Sequence, residues 1–372
     1  MRMSVEELFP KTDTTWHERA TKRFASPFVG VPYDRIDIDP IVLAHAAVLC
    51  GYGIRDFYEK PELGIATVAY INELYDLLPV THWFYSNVWL PELGATVKCT
   101  KTLPWIVQEP RPIQNPEDID KLPVPDVDEV SKGFTFSLYS RAYDYAKKNL
   151  PNMFVPIHYV FCLYAMAAEL VGPDKFIMWT IRQPKLCHKL LKKVADSSIN
   201  GAIATANKYG FALMIMGGVL ANSTVLRPQQ IKEFAIDYHR YLVRKALKGG
   251  AGPQLWYHLC GDHSGDYQLW KDAYYTPFTV MHIGYHGREV FPADLLVKEF
   301  GNLATVMSSV DTKLLNFGPP SAVYEQSKKQ LLPLKEAPRG AVLGAACEAP
   351  PNMPPSSILA MLKASRDHGK YA

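Results

Sequence analysis

An excess of charge of one sign is absent from this sequence. Lys and Arg number 40 against 37 Asp and Glu, a formal net charge of only +3, so no basic surplus marks the chain for nucleic acid. Cysteine is scarce. Six cysteines in 372 residues, at positions 50, 99, 162, 187, 260 and 347, cannot build the dense disulfide framework of a small secreted domain, and they are read as reduced. No uninterrupted apolar run has the length of a membrane span. The nearest approach, Phe154 to Val171, is broken by Pro156, His158 and Glu169 and reads as a buried strand followed by a helix. The opening Met1-Arg2-Met3-Ser4-Val5-Glu6-Glu7 has acids where an export signal needs apolar residues, which leads to the expectation of a cytoplasmic protein with no membrane or nucleic-acid partner. Internal repeats and low-complexity tracts are lacking too, which favours one domain with insertions.

What is there is abundant apolar sequence cut into short runs. Hydrophobic residues make up 48% and charged residues 21%, enough to bury a large core. Prolines (29) outnumber glycines (23), and aromatics reach 12%, which suits long shaped loops and an aromatic-lined cleft. Short apolar runs alternate with longer amphipathic segments, the pattern of parallel strands joined by helices. Candidate strands lie near Ile36 to Asp39, His82 to Ser86, Phe154 to Phe161, Phe211 to Met216, Gln254 to His258, Thr279 to Gly284, Thr305 to Ser308 and Ala341 to Gly344, about the eight that a closed barrel needs. The expected fold class is α/β, a single (β/α)8 TIM barrel over residues 31–372, preceded by an N-terminal extension over residues 1–30.

Helix boundaries are signalled by proline and glycine. Pro184 opens one helix and Gly210 closes it; Pro228 opens another, with Ile231, Phe234, Ala235, Tyr238 and Leu242 at helical spacing and Gly249-Gly250 at its end. A last helix is expected with Ser356 or Ser357 as cap and Gly369 at its end, and Pro110 to Asp128 reads as an exposed connection.

The chemistry concentrates in Tyr257-His258-Leu259-Cys260-Gly261-Asp262, at the end of the fifth candidate strand. Residues i and i+2 of a strand share a face, so the His258 imidazole and the Cys260 thiol point the same way. Cys347 follows the eighth candidate strand, and in a barrel both strand ends open on the C-terminal rim. One nitrogen and two sulfurs with an open fourth position is a catalytic zinc arrangement. The competing reading is a chance H-x-C pair of buried structural residues. On the residues alone both stay open.

Other candidates carry two readings each. Asp311, after the seventh strand, can bind substrate or cap a helix. His282 and His286, near the end of the sixth strand, can line a pocket or fill the core. Tyr85 and Asn87, in the aromatic stretch Trp83 to Trp89, can contact substrate or pack. Asp237-Tyr238-His239 is a D-x-H triplet with no glycine three residues on, and His239 is read as a helix-surface residue.

Several segments resemble the uroporphyrinogen decarboxylase superfamily. Pro91-Glu92-Leu93-Gly94-Ala95 is similar to the segment before that family's small hairpin insertion, and Pro116-Glu117-Asp118-Ile119-Asp120-Lys121-Leu122 to its connector. Ala167 to Gly172 with Pro184-Lys185-Leu186 is similar to its third crossover. His258, Cys260 and Cys347 resemble the zinc motif of its cobalamin-dependent methyltransferase branch. The resemblance implies Zn²⁺ on these three residues, methylcobalamin or a corrinoid protein as external methyl donor, and a small-molecule thiol such as coenzyme M, or a folate, as acceptor. The chain departs from the family in two places. The decarboxylases' N-terminal arginine and glycine signature has no equivalent between Arg19 and Gly30, which argues against a porphyrinogen substrate, and Gly261-Asp262 stands where the methyltransferases usually have Gly-Asn. The remaining alternatives are a zinc-thiolate alkyl transferase acting on an epoxide, a decarboxylase, and a non-catalytic zinc-binding scaffold.

Overall fold

The computed structural model describes residues 34–371 apart from Val88, together with Lys22, so the expected extension over residues 1–30 lies almost wholly outside the described residues. Among the described residues ten strands are formed: β1 Asp37–Asp39, β2 Val97–Lys98, β3 Ile106–Val107, β4 Ile157–Phe161, β5 Leu213–Gly217, β6 Leu255–Asp262, β7 Thr279–His286, β8 Glu289–Val290, β9 Thr305–Val310 and β10 Ala341–Ala345. The parallel strands β1, β4, β5, β6, β7, β9 and β10 fall where seven of the candidate strands were expected, and helices connect them in an α/β fold.

The chain divides into two compact units, one from the described parts of Met1–Trp83, Arg141–Val155 and Pro277–Ala372, the other from Phe84–Ser140 and Pro156–Thr276. In the first, β10 pairs in parallel with β1 (Ile38 opposite Leu343) and with β9 (Leu343 opposite Ser308), and β9 pairs with β7 (Val306 opposite Met281). The short β8 turns back antiparallel on β7. In the second unit β5 lies between β4 and β6, with Tyr159 opposite Ile215 and Met216 opposite Tyr257. All residues of β5 and β9 are buried, as expected of parallel strands covered on both faces. The hairpin implied by the resemblance is the antiparallel pair β2–β3.

The expected strand His82 to Ser86 does not form. The chain enters this segment through turns after Pro79, which supplies no donor: Val80 N donates to Leu78 O and His82 N to Val80 O, so the first amide of the expected strand is already engaged locally, while Leu78 N donates to Ile38 O and Asn72 Nδ2 to Val80 O.

The helix Pro184–Tyr209 starts and stops as expected, with Gly210 at φ +91° as its cap. The helix expected from Pro228 is interrupted by a π-helical turn over Lys232–Ile236 before continuing as Asp237–Lys248. A π turn holds an extra residue and so shifts the positions that follow around the axis. His239, expected at the surface, is fully buried against Tyr257 and Trp270, and burial lowers its pKa to about 4. The final helix is Pro355–His368 with Pro354 as N-cap; Ser357 lies inside it, its hydroxyl donating to Leu315 O at 2.7 Å. Among the described residues no helix is long and apolar enough to cross a membrane.

Candidate metal centre

β6 continues past His258 to Asp262, so His258 and Cys260 occupy alternate positions of one extended strand, on one face. Gly218 N donates to His258 O at 3.0 Å and ties the strand to the segment after β5. At Gly261 the backbone turns through φ +94°, a conformation open to glycine and costly to other residues. Cys347 lies two residues beyond β10, bracketed by two backbone bonds: Ala346 N to Val310 O at 2.8 Å and Ala349 N to Ile41 O at 3.2 Å.

One ligand atom from each of His258, Cys260 and Cys347 lies within 4.8 Å of the other two. Among the described residues these are the only three or more His, Cys, Asp or Glu side chains grouped closely enough to share one ion. The donor set is one imidazole nitrogen and two sulfurs, which suits Zn²⁺, and its span needs little closing around a tetrahedral ion with bonds of about 2.0–2.3 Å.

Exposure separates these thiols from the others. Cys50, Cys99, Cys162 and Cys187 are buried, whereas Cys260 and Cys347 are half-buried, and none of the six is in a disulfide. Burial pushes the Cys50 and Cys162 thiols up to about 11 and Cys187 to about 12, so those sulfurs stay protonated and inert. His258 is 9% exposed.

The remaining candidates are placed as follows. His282 is fully buried in β7, and its Nε2–H donates to Ser309 Oγ at 3.0 Å, since that hydroxyl is itself donating to Ile283 O. His286 is half-buried, opposite Glu289 in the β7–β8 hairpin and edge-on to Phe291. Asp311 is the N-cap of the helix Thr312–Phe317, with Oδ1 accepting from the amides of Lys313 and Leu314. Tyr85 is 1% exposed and donates to Thr135 Oγ1, which in turn donates to Glu92 Oε2 at 2.8 Å. Asn87 sits at φ +62° and its Nδ2 donates to Trp105 O at 2.9 Å. Trp83 and Trp89 are buried as well, so in this aromatic stretch the packing reading holds for both indoles.

Two residues gain interest from the structure. Tyr285, between His282 and His286, is half-buried with its hydroxyl 3.0 Å from Thr312 Oγ1. Burial raises its pKa, and the charges of Asp311 and Cys347 raise it further. His263 is fully buried just beyond β6, its Nδ1–H donating to Asp266 Oδ2 at 2.7 Å, while Asp266 Oδ1 accepts from Ser223 N. The three-residue spacing of His263 and Asp266 is visible in the sequence; its burial is not.

The structure is similar to a methyltransferase from Methanosarcina mazei with a TM-score of 0.74 at 18% sequence identity, over 94% of this chain and 98% of that one. No curated protein matches the sequence. The family model for uroporphyrinogen decarboxylase (URO-D) matches residues 20–368, nearly the whole chain, and the protein therefore belongs to the uroporphyrinogen decarboxylase family.

Proposed function

We propose that the protein is a zinc-dependent methyltransferase that moves a methyl group from a methyl-Co(III) corrinoid, free or carried by a partner protein, to a thiol such as coenzyme M or to a folate-type acceptor. The observation that carries this reading is the convergence of His258, Cys260 and Cys347 within 4.8 Å. Family membership and the fold shared with a methyltransferase are consistent with it.

Zinc held by these residues supplies a Lewis acid that keeps an incoming thiol as thiolate at neutral pH. The chain's own contribution is the ligand set and its setting. Two cysteinates would balance the charge of a divalent ion, and three protein ligands would leave a position for an acceptor thiol, whose sulfur would stay electron-rich. With a methyl corrinoid as donor, a C–S bond would replace the C–Co bond, the electron pair of the broken bond remaining with the corrinoid and the thiol proton going to solvent. Half-exposure of Cys260 and Cys347 keeps the ligand set within reach of a large external donor. Tyr285, His286 and Asp311 are proposed to face acceptor or donor, with Tyr85, Asn87 and His282 kept as further candidates for substrate binding.

The test is a methylcobalamin demethylation assay, followed by the visible absorbance change, with coenzyme M, homocysteine and tetrahydrofolate as acceptors and zinc present or removed. Methyl transfer that needs both zinc and one acceptor supports the reading. Zinc-loaded protein that leaves methylcobalamin and a methylated corrinoid protein intact, yet joins an epoxide to coenzyme M, replaces it with the alkyl transferase. Inactivity in every arm leaves a zinc-binding scaffold.

A further inference from the structure

Cys347 is held from outside the ligand set by a relay that starts on β1. Asp39, the last residue of that strand, is 6% exposed. Its Oδ2 accepts from His82 Nε2 at 2.8 Å and its Oδ1 from the Ile41 amide at 3.0 Å. Ile41 has φ +55°, a conformation that a β-branched residue adopts only when its surroundings impose it. In that conformation the Ile41 carbonyl accepts from the Ala349 amide at 3.2 Å, two residues after Cys347. A second tie lies alongside: His45, kept neutral by burial, donates from Nδ1 to Pro351 O at 3.1 Å. On its other side Cys347 is anchored through Ala346 N to Val310 O.

The carboxylate does two things at once. It compensates the amide of a strained residue, and through that residue it fixes where the segment after Cys347 returns. Without the carboxylate, Ile41 is free to relax to negative φ, and its carbonyl then turns away from Ala349. The histidine orients the carboxylate by occupying its second oxygen.

We propose that Asp39 and His82 are positioning residues for the third metal ligand, holding Cys347 in reach of His258 and Cys260 through Ile41 and Ala349. The proposal rests on the metal-site reading above and adds residues that touch neither ion nor substrate.

The full-length wild type is compared with Asp39→Ala, Asp39→Asn, His82→Gln and Cys347→Ser, each checked for folding by circular dichroism. One readout is titration with Co²⁺, whose thiolate-to-metal absorption scales with the number of sulfurs bound. The other is alkylation of metal-free protein by iodoacetamide, read at Cys347 by peptide mass with Cys260 as internal reference. Asp39→Ala should bind Co²⁺ about 10–100-fold more weakly. Its absorption at saturation should fall toward that of Cys347→Ser, and Cys347 should alkylate several-fold faster while Cys260 does not change. Asp39→Asn keeps an oxygen for the Ile41 amide and should recover most of the loss. His82→Gln should shift both readouts in the same direction by less, and it decides the matter if Asp39→Ala does not fold. Wild-type affinity, absorption and Cys347 alkylation in a folded Asp39→Ala or His82→Gln would overturn the proposal. A wild type that binds no Co²⁺ removes the metal-site reading instead, and the alkylation rates still show whether Asp39 holds Cys347.

Discussion

β4 and β6 each carry a histidine in a buried strand, and the surroundings of the two rings differ completely. His158 in β4 is fully buried, 4.8 Å from the Trp89 ring centre to centre and against the helix Pro184–Tyr209 at Gly201. A Cβ at position 201 would lie 2.8 Å from its Cε1. Burial lowers its pKa to about 3, against a smaller opposing pull from the Ser198 backbone. His258 keeps some exposure and has two thiols within ligand distance. A histidine in a strand therefore says little about its role. What faces it, aromatic carbon and a missing side chain or two sulfurs, decides between packing and metal binding.

The largest effects should come from the ligand set that His258 shares with Cys260 and Cys347. Cys347→Ser and Cys260→Ser, each still folded, should lower zinc affinity by at least about 100-fold, more than the removal of groups one bond further out. Metal analysis of dialysed protein should fall from about one Zn²⁺ per chain to a small fraction. Full zinc retention in Cys347→Ser would take that residue out of the site and break the contrast with β4.

The β4 side should answer in stability alone. Gly201→Leu forces extra volume against His158 and Trp89 and should cost about 1–3 kcal/mol, read by urea unfolding, with zinc content unchanged. Loss of zinc at full stability would show that the aromatic cluster belongs to the site.

Acid should separate the two regions further. His158 and His239 have folded-state pKa values of about 3 and about 4, below the ordinary 6.5, so the unfolded chain binds more protons than the folded one between those values. Their contribution to stability is complete above pH 6.5 and is lost as pH falls toward 4 and 3. The slope is about 1.4 kcal/mol per pH unit for each ring. Unfolding free energies across this range should show the decline, and His158→Leu should flatten it by one ring's share. An unchanged slope would mean that His158 is not held neutral.

The smallest effect is a difference in labelling. With metal removed, Cys260 and Cys347 should alkylate well before the four buried cysteines, and zinc should slow both. After denaturation without reductant all six thiols should be countable. A count of four or fewer in protein kept from air would overturn the reading of these cysteines as reduced.

Much of this molecule is determined by the sequence alone, because the relevant physics is local. Apolar runs of strand length gave seven parallel strands close to their expected places, since a strand buried on both faces needs continuous hydrophobic residues. Pro184, Gly210 and Pro228 marked helix ends because proline lacks a donor and glycine tolerates positive φ. The i, i+2 spacing of His258 and Cys260 carries their shared face directly. Tertiary structure decided everything that depends on surroundings. It brought Cys347 to the pair, buried Trp83, Tyr85 and Trp89, turned His239 inward after a π-helical turn, and engaged the His82 amide in a turn at the start of the segment expected as a strand. It also joined Asp39, His82, Ile41 and Ala349 into one relay. Burial and long-range contact are properties of the packed chain, and residue spacing does not encode which partner a side chain will meet.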